Sequence, residues 1–314
     1  EHGCDIGIAT DGDADRLGII DDQGEFLHPN KILSLLYYYL LKYKGWHGAA
    51  VRNLATTHLL DAIAGRFGEK CYEVPVGFKH ISGKMLETGA VIGGESSGGL
   101  TVRGHIQGKD GIYAASLLVE MMATTGRSLS ELYREIAEQC GAFEMVERGY
   151  RFSQEEKARI SNILMEDKLL PDFGLEIEKV SYADGCKVYF KGGGWVVSRF
   201  SGTEPLLRVF CEMGSAERAA EISRQMEAFL DLEGRNIEYR LLTYGTSTRG
   251  IWKIRSSRCP TRSMRSWWLA AAPKWPISGG HFATRRSIPW TLTMAWSALS
   301  ARVSPRPRSS WNER

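Results

Sequence analysis

Residues 49–99, AAVRNLATTHLLDAIAGRFGEKCYEVPVGFKHISGKMLETGAVIGGESSGG, alternate short apolar runs with a helix-length amphipathic stretch. Ala49 to Leu54 has the composition of a buried strand, and Thr57 to Phe67 carries apolar residues at helical spacing. Tyr72 to Val76 is a second strand candidate, and Ala90 to Gly93 is a third that runs into glycines. Strand following helix following strand implies a parallel sheet covered on both faces. Working outward, Asn30 to Tyr43 is a helix candidate with Asn30 placed to cap it, and Gly111–Thr124 and Ser130–Gln139 are two more. Upstream, Asp5 to Thr10, Arg16 to Asp21 and Glu25 to Leu27 read as strands, the last two turning at Asp22-Gln23-Gly24. Beyond Cys140 the pattern changes. A helix over Glu155–Met165, strands over Lys187–Phe190, Trp195–Phe200 and Leu206–Cys211, and a helix over Ala216–Leu230 predict an α+β unit. The expected class is therefore α/β: a three-layer α/β/α domain, an α+β C-terminal domain and an irregular basic tail.

The chain has 314 residues, 43% of them hydrophobic and 25% charged, which excludes a collagen, a disulfide mini-protein and a wholly disordered chain. No run approaches the roughly 18 apolar residues of a membrane span; Ile32 to Leu41 breaks at Lys42. Six cysteines are scattered singly, as in reduced cytoplasmic proteins. The net charge of +3 hides two unlike parts. Residues 245–314 hold 13 Lys and Arg, a single acid (Glu313) and seven of the nine Trp; the first 244 residues carry 27 basic and 36 acidic side chains. Arginine with tryptophan could serve nucleic-acid binding, but the tail has no period and no binding motif. It is read as a non-native or out-of-frame extension, and nucleic acid is not an expected partner. The start at Glu1, five residues before a strand, suggests a chain cut from something longer.

Three segments carry chemistry. In Asp11-Gly12-Asp13-Ala14-Asp15-Arg16, carboxylates at alternate positions, spaced by small residues, can converge on one point. Unit charges about 4 Å apart repel by roughly 1–4 kcal/mol per pair near a surface, a cost that a hard divalent cation such as Mg²⁺ removes. An EF-hand would need glycine and glutamate where Arg16 and Asp22 stand. In Gly93-Gly94-Glu95-Ser96-Ser97-Gly98-Gly99, a carboxylate and hydroxyls suit a sugar's vicinal hydroxyls, and the glycines would let backbone approach a ligand closely. In Arg199-Phe200-Ser201-Gly202-Thr203-Glu204-Pro205, with Arg208 beyond, hydroxyls, backbone and a guanidinium make an anion cradle that favours phosphate. Lys79, in Val76-Gly77-Phe78-Lys79-His80, is a further candidate. Each has a plainer alternative: an acidic turn, a flexible glycine loop, a capped hairpin, a surface lysine.

The ordered set DGDADR, GFKHI, GESSG, KDG (Lys109, Asp110, Gly111) and RFSGTEP resembles the α-D-phosphohexomutases, the phosphoglucomutase and phosphomannomutase superfamily, over roughly residues 3–243. The resemblance implies that Asp11, Asp13 and Asp15 hold Mg²⁺ and that Arg16 supports the transferring phosphoryl group. It also implies that Lys79 lines the sugar site, that Glu95 and Ser97 grip sugar hydroxyls, and that Arg199, Ser201, Gly202 and Thr203 clamp the distal phosphate. It implies hexose phosphates and a hexose 1,6-bisphosphate as ligands, with Glu95-Ser96-Ser97 and Gly77-Phe78-Lys79 nearer to the glucose branch. Members have three α/β domains and a final α+β domain. On that pattern 1–28 is a remnant of the second domain with the metal loop, 29–140 the third, 141–244 the C-terminal phosphate-binding domain and 245–314 the tail. The phosphoserine loop of the first domain, of Thr-x-Ser-His-Asn-Pro type, has no counterpart here, so the chain alone is expected not to turn over. Without upstream helices, Ile6, Ile8, Ile19 and Ile20 are expected to lie on an uncovered hairpin. A non-catalytic sugar-phosphate-binding module is the alternative function, ahead of nucleic-acid binding through the tail.

Overall fold

The computed structural model describes residues 4–202 and 205–235. Three sheets organise them. The first is an antiparallel meander of β1 (Gly7–Thr10), β2 (Leu17–Ile20) and β3 (Phe26–Leu27). After α1 (Pro29–Lys42) comes the second, built from β4 (Ala50–Asn53), α2 (Leu59–Arg66), β5 (Cys71–Val74), α3 (Phe78–Thr88), β6 (Ile92–Gly94) and β7 (Leu100–Val102), with strand order β5-β4-β6-β7. Strand β4 pairs in parallel with both β5 and β6, whereas β7 returns antiparallel along β6. The sheet is thus mixed, because the glycine loop is too short for a helical crossover. Helices α4 (Gly111–Thr125) and α5 (Leu129–Cys140) complete this part.

Helix α1 is apolar around its whole circumference, and 12 of its 14 residues are buried. Such a helix belongs inside a domain. It packs with α2, α4, α5 and one face of the sheet in a single core, while α3 covers the other face through Ile81 and Met85. The three-layer α/β/α expectation is met. Three consecutive tyrosines on α1 bury their rings and send their hydroxyls to partners: Tyr37 to the Gly48 carbonyl (3.1 Å), Tyr38 to Gln139 (2.9 Å) and Tyr39 to Glu120 (2.8 Å). The cap of α1 differs from expectation. His28 caps it, its Nδ1 accepting from the Asn30 N–H (3.2 Å). Burial, with Lys31 near, lowers His28 to about 4, so the ring is neutral and can accept. Asn30 lies inside the first turn.

The uncovered-hairpin expectation is corrected for Ile6, Ile8 and Ile19, whereas Ile20 is half-buried and outside the α1 core. Leu17 and Ile19 are fully buried in the α1 core, with Ile6 and Ile8 packed beside them, and α4 lies against β1 and β2. A helix later in the chain supplies the missing cover.

The last unit is a five-stranded antiparallel sheet of order β8-β12-β11-β10-β9, from β8 (Glu144–Arg151), β9 (Ile177–Ser181), β10 (Cys186–Phe190), β11 (Trp195–Phe200) and β12 (Leu206–Met213). Helix α6 (Gln154–Ser161), continued by a π turn over Asn162–Glu166, and α7 (Ala216–Phe229) cover one face of it. Capping boxes begin α5 at Ser128 and α6 at Ser153. Among the described residues no helix is long and apolar enough to cross a membrane. The tail, residues 245–314, lies outside the described residues.

Two units meet through charge. Lys187 on β10 is 2% exposed at its side chain and donates to the Leu54 carbonyl (2.6 Å), to Glu73 of β5 (2.7 Å) and to His58 Nε2 (3.1 Å). Arg52 of β4 bonds Asp61 (2.6 Å) and the same Glu73 carboxylate (2.6 Å). Glu212 of β12 accepts from the His58 N–H (2.8 Å) and the Trp195 indole (3.0 Å). Burial and the Arg52 guanidinium lower the Lys187 ammonium to about 7, against the pull of Glu73. This network binds the mixed sheet to the last one.

Candidate active site

The loop between β1 and β2 holds Asp11, Asp13 and Asp15. Ala14 takes a left-handed conformation (φ 58°), and the Arg16 N–H bonds Asp11 Oδ1 (3.1 Å). One carboxylate oxygen from each aspartate falls within 4.8 Å of the others. Burial raises the Asp11 pKa; the Arg16 N–H opposes this, and the Asp15 and Asp13 charges add to it. Asp15 Oδ1 is buried and, among the described residues, accepts no hydrogen bond, with Arg16 Nε 3.5 Å away. Three mutually repelling oxygen donors converging from one loop fit a hard cation. Arg16 Nε stands 3.7 Å from Asp11 and 3.5 Å from Asp15, flanking the cluster.

Lys109 is the residue whose role the sequence did not disclose. It pairs with Asp15, and its stem lies where a side chain on Gly99 would stand. The first residue of α4, Gly111, donates to the Ala14 carbonyl (2.9 Å), and a Cβ there would come within 2.5 Å of the Arg16 carbonyl. The KDG segment therefore locks the metal loop against the sugar loop.

Glu95 follows β6 and is 9% exposed. Its Oε1 accepts from Asn53 Nδ2 (3.2 Å) and the Gly77 N–H (3.2 Å), and the neighbouring Ser96 N–H bonds Thr56 Oγ1 (3.0 Å). Ser97 is half-buried at the tip. The expected reason for the glycines is corrected in part. A Cβ on Gly93 would collide with Met85 and Ile81 of α3, and one on Gly94 would lie 2.7 Å from Leu33 of α1. They are small because helices press on both faces of β6. Lys79 is exposed in the first turn of α3.

Arg199, next to last in β11, has its Nε and Nη2 on Asp184 Oδ1 (3.3 and 3.2 Å). Ser201 and Gly202 begin the turn to β12, with the Ser201 N–H on the Leu206 carbonyl (2.7 Å). Thr203 lies outside the described residues. Arg208 sits opposite Arg199 in the β11–β12 register and 3.9 Å from Glu147, whose pKa burial raises against the Arg208 charge. The loops are joined through two successive amides. Val76 N–H bonds Asp184 Oδ2 (2.9 Å), and Gly77 N–H bonds Glu95. Asn53, Thr56, Val76 and Asp184 were not singled out from sequence, since each acts through a neighbour distant along the chain.

Against known families, residues 28–140 match the model of phosphoglucomutase/phosphomannomutase, alpha/beta/alpha domain III, and residues 151–229 match that of the C-terminal domain. The chain belongs to the phosphoglucomutase/phosphomannomutase family. It is 34% identical over 219 residues to a phosphoglucomutase/phosphomannomutase of Thermococcus kodakarensis, covering 70% of this chain and 45% of that protein. It is 30% identical over 239 residues to a phosphoglucosamine mutase of Latilactobacillus sakei, covering 74% of this chain and 48% of that protein. A solved structure assigned as a phosphomannomutase, from Thermus thermophilus, matches with a TM-score of 0.59 at 31% identity over 72% of this chain and 46% of that one. The chain thus spans about half the length of the relatives it matches.

Proposed function

We propose that the chain supplies the metal loop, sugar loop and phosphate loop of a Mg²⁺-dependent phosphohexomutase. The enzyme interconverts hexose 1-phosphate and hexose 6-phosphate through a 1,6-bisphosphate, with glucose preferred and mannose accepted. The observation that carries this reading is the stitching of the three loops: Asp15 to Lys109, Lys109 to the Gly99 backbone, and Glu95 and Asp184 to the adjacent N–H groups of Gly77 and Val76. A cation cluster, a polyol-binding carboxylate and a phosphate-binding guanidinium are thereby fixed to one frame.

Asp11, Asp13 and Asp15 would hold the metal, which when bound supplies positive charge against the transferring phosphoryl oxygens. Arg16 adds a guanidinium beside them. Glu95 accepts from sugar hydroxyls, with Ser97 at the loop tip and Lys79 at the start of α3 completing the sugar's surroundings. Arg199, Ser201, Gly202 and Thr203 bind the phosphate that does not react, with Arg208 alongside. That phosphate is on O6 in one half-reaction and on O1 in the other, so the clamp must accept both orientations. The serine that donates the phosphoryl group to the free hydroxyl, and takes the other phosphoryl back, lies outside these 314 residues.

Calorimetric titration of the chain with glucose 1,6-bisphosphate, with and without Mg²⁺, tests the assignment. Saturable binding that falls by at least about tenfold in Arg199→Ala is expected, as for loss of a charge-assisted contact. Unchanged binding in that variant would remove Arg199 from the site.

A further inference from the structure

We infer that Asp184 is a positioning residue that aims the Arg199 guanidinium and ties the phosphate loop to the segment that starts α3. The inference rests on the phosphate-clamp reading of Arg199. Asp184 stands in the turn between β9 and β10, in neither of the loops that carry the site residues. Its two oxygens serve two clients. Oδ1 takes Nε and Nη2 of Arg199 at 3.3 and 3.2 Å, and Oδ2 takes the Val76 N–H at 2.9 Å. Of the five guanidinium N–H donors, the two with partners among the described residues are directed at Asp184, along one side of the fork. A planar fork held along one side presents its opposite side in a fixed direction, as two-point recognition of a phosphate requires.

The turn is shaped for this contact. Gly185 has φ +91°, and a Cβ there would sit 2.6 Å from the Arg199 Cβ and 2.6 Å from the Ser198 carbonyl oxygen. Only glycine lets the turn lie flat on β11 at the level of Arg199. Two residues beyond Gly185, Lys187 is anchored in the network with Glu73 and Leu54, so the base of the turn is fixed to the same sheet whose β5 leads into Val76. Asp184 and Arg199 side chains are 24% and 15% exposed, so the pair is shielded but not sealed. The carboxylate thus sets the angle of the clamp and its register against Gly77, which in turn bonds Glu95.

The test uses the full chain with Asp184→Asn, Asp184→Ala, Arg199→Gln and the double variant Asp184→Asn/Arg199→Gln. An Asn oxygen can serve one client, not both, and its NH₂ then faces a donor. Asp184→Asn is expected to weaken glucose 1,6-bisphosphate about tenfold in the Arg199 background and less than about twofold in the Arg199→Gln background, the non-additivity of one residue acting through another. Amide exchange at Val76 is expected to accelerate at least about tenfold in Asp184→Ala while α7 amides and the melting midpoint hold, marking a local loss. An equal loss in both backgrounds, tighter binding in Asp184→Asn, or unchanged exchange at Val76 overturns the positioning role. Full affinity in Arg199→Gln instead overturns the clamp reading; loss there with none in Asp184→Asn overturns only the inference.

Discussion

In the network around Lys187, each cation faces a carboxylate. In the loop of residues 11–15, three carboxylates face one another. Arg52 and Lys187 share Glu73, and Asp61 takes the rest of the Arg52 fork. Those four charges are neutralised by the chain itself, and what they join is two sheets; Glu212 beside them takes the neutral His58 and Trp195 N–H donors, and burial raises its pKa. Around Asp11, Asp13 and Asp15 the protein offers Arg16 and Lys109 at the flanks, two cations against three carboxylates whose oxygens lie within 4.8 Å of one another. The two clusters use the same residue types, but one is closed and structural and the other has an excess of negative charge pointed at a common centre. Removing a partner from the first should therefore destabilise, and removing a charge from the second should do the reverse.

The largest effect is expected at the closed cluster. Lys187→Ala leaves the Leu54 carbonyl without its donor, deprives Glu73 of one cation and opens space beneath Trp195. A loss of about 3 kcal/mol in urea unfolding follows from breaking a buried pair from one side. A loss below about 1 kcal/mol would show that the pair is worth no more than a surface contact.

At the open cluster the sign is opposite. With divalent cations chelated, Asp13→Asn should stabilise the chain by about 1 kcal/mol, because it removes one of three like charges at short range. Added Mg²⁺ should raise the melting midpoint of the parent chain and leave that of Asp13→Asn nearly unmoved, since a ligand of the native state stabilises only what binds it. A destabilised Asp13→Asn in chelator would erase the contrast between the clusters.

The smallest effect sharpens the comparison with a third carboxylate that is satisfied by neutral donors. Burial pushes the Asp22 carboxyl up, but hydrogen bonds from Gln23 and from the side chain and N–H of Ser130 outweigh it and hold Asp22 at about 2. These bonds tie the β2–β3 turn to the start of α5. A carboxyl whose folded value is depressed contributes stability above its unfolded value near 3.8, and loses it as pH falls through about 2. Asp22→Asn should cost up to about 1 kcal/mol at pH 7, and the difference should close between pH 4 and about pH 2. A gap that persists in acid would mean that the bonds, not the charge, carry the effect.

Strands and helices were legible where the apolar pattern was dense and local. Helix α1, strands β10–β12 and helix α7 are found within a few residues of expectation, because nearly every turn of them carries core residues. Helix α3 was not foreseen: only Ile81 and Met85 of its 11 residues are buried, too thin a stripe to stand out. Strands β8 and β9 carry charges on half-exposed faces and gave no alternation to read. At the site, the residues that touch a ligand in the proposed reading sit in short motifs with distinctive chemistry. The residues that hold them, Lys109, Asn53, Thr56 and Asp184, are ordinary types whose partners lie tens of residues away.

By itself the amino-acid order determined the α/β alternation, the change to an α+β unit after Cys140 and the three chemical loops. These depend on period and on neighbours within a few residues, which a chain carries locally. Only the tertiary structure decided that α4 covers the β1–β2 hairpin, that Gly93 and Gly94 are small for the sake of Met85 and Leu33, and that one carboxylate at 184 serves both Arg199 and Val76. Those facts are contacts between segments that chain connectivity does not bring together. They follow from how close-packed layers place their loops in space, and no local pattern encodes that.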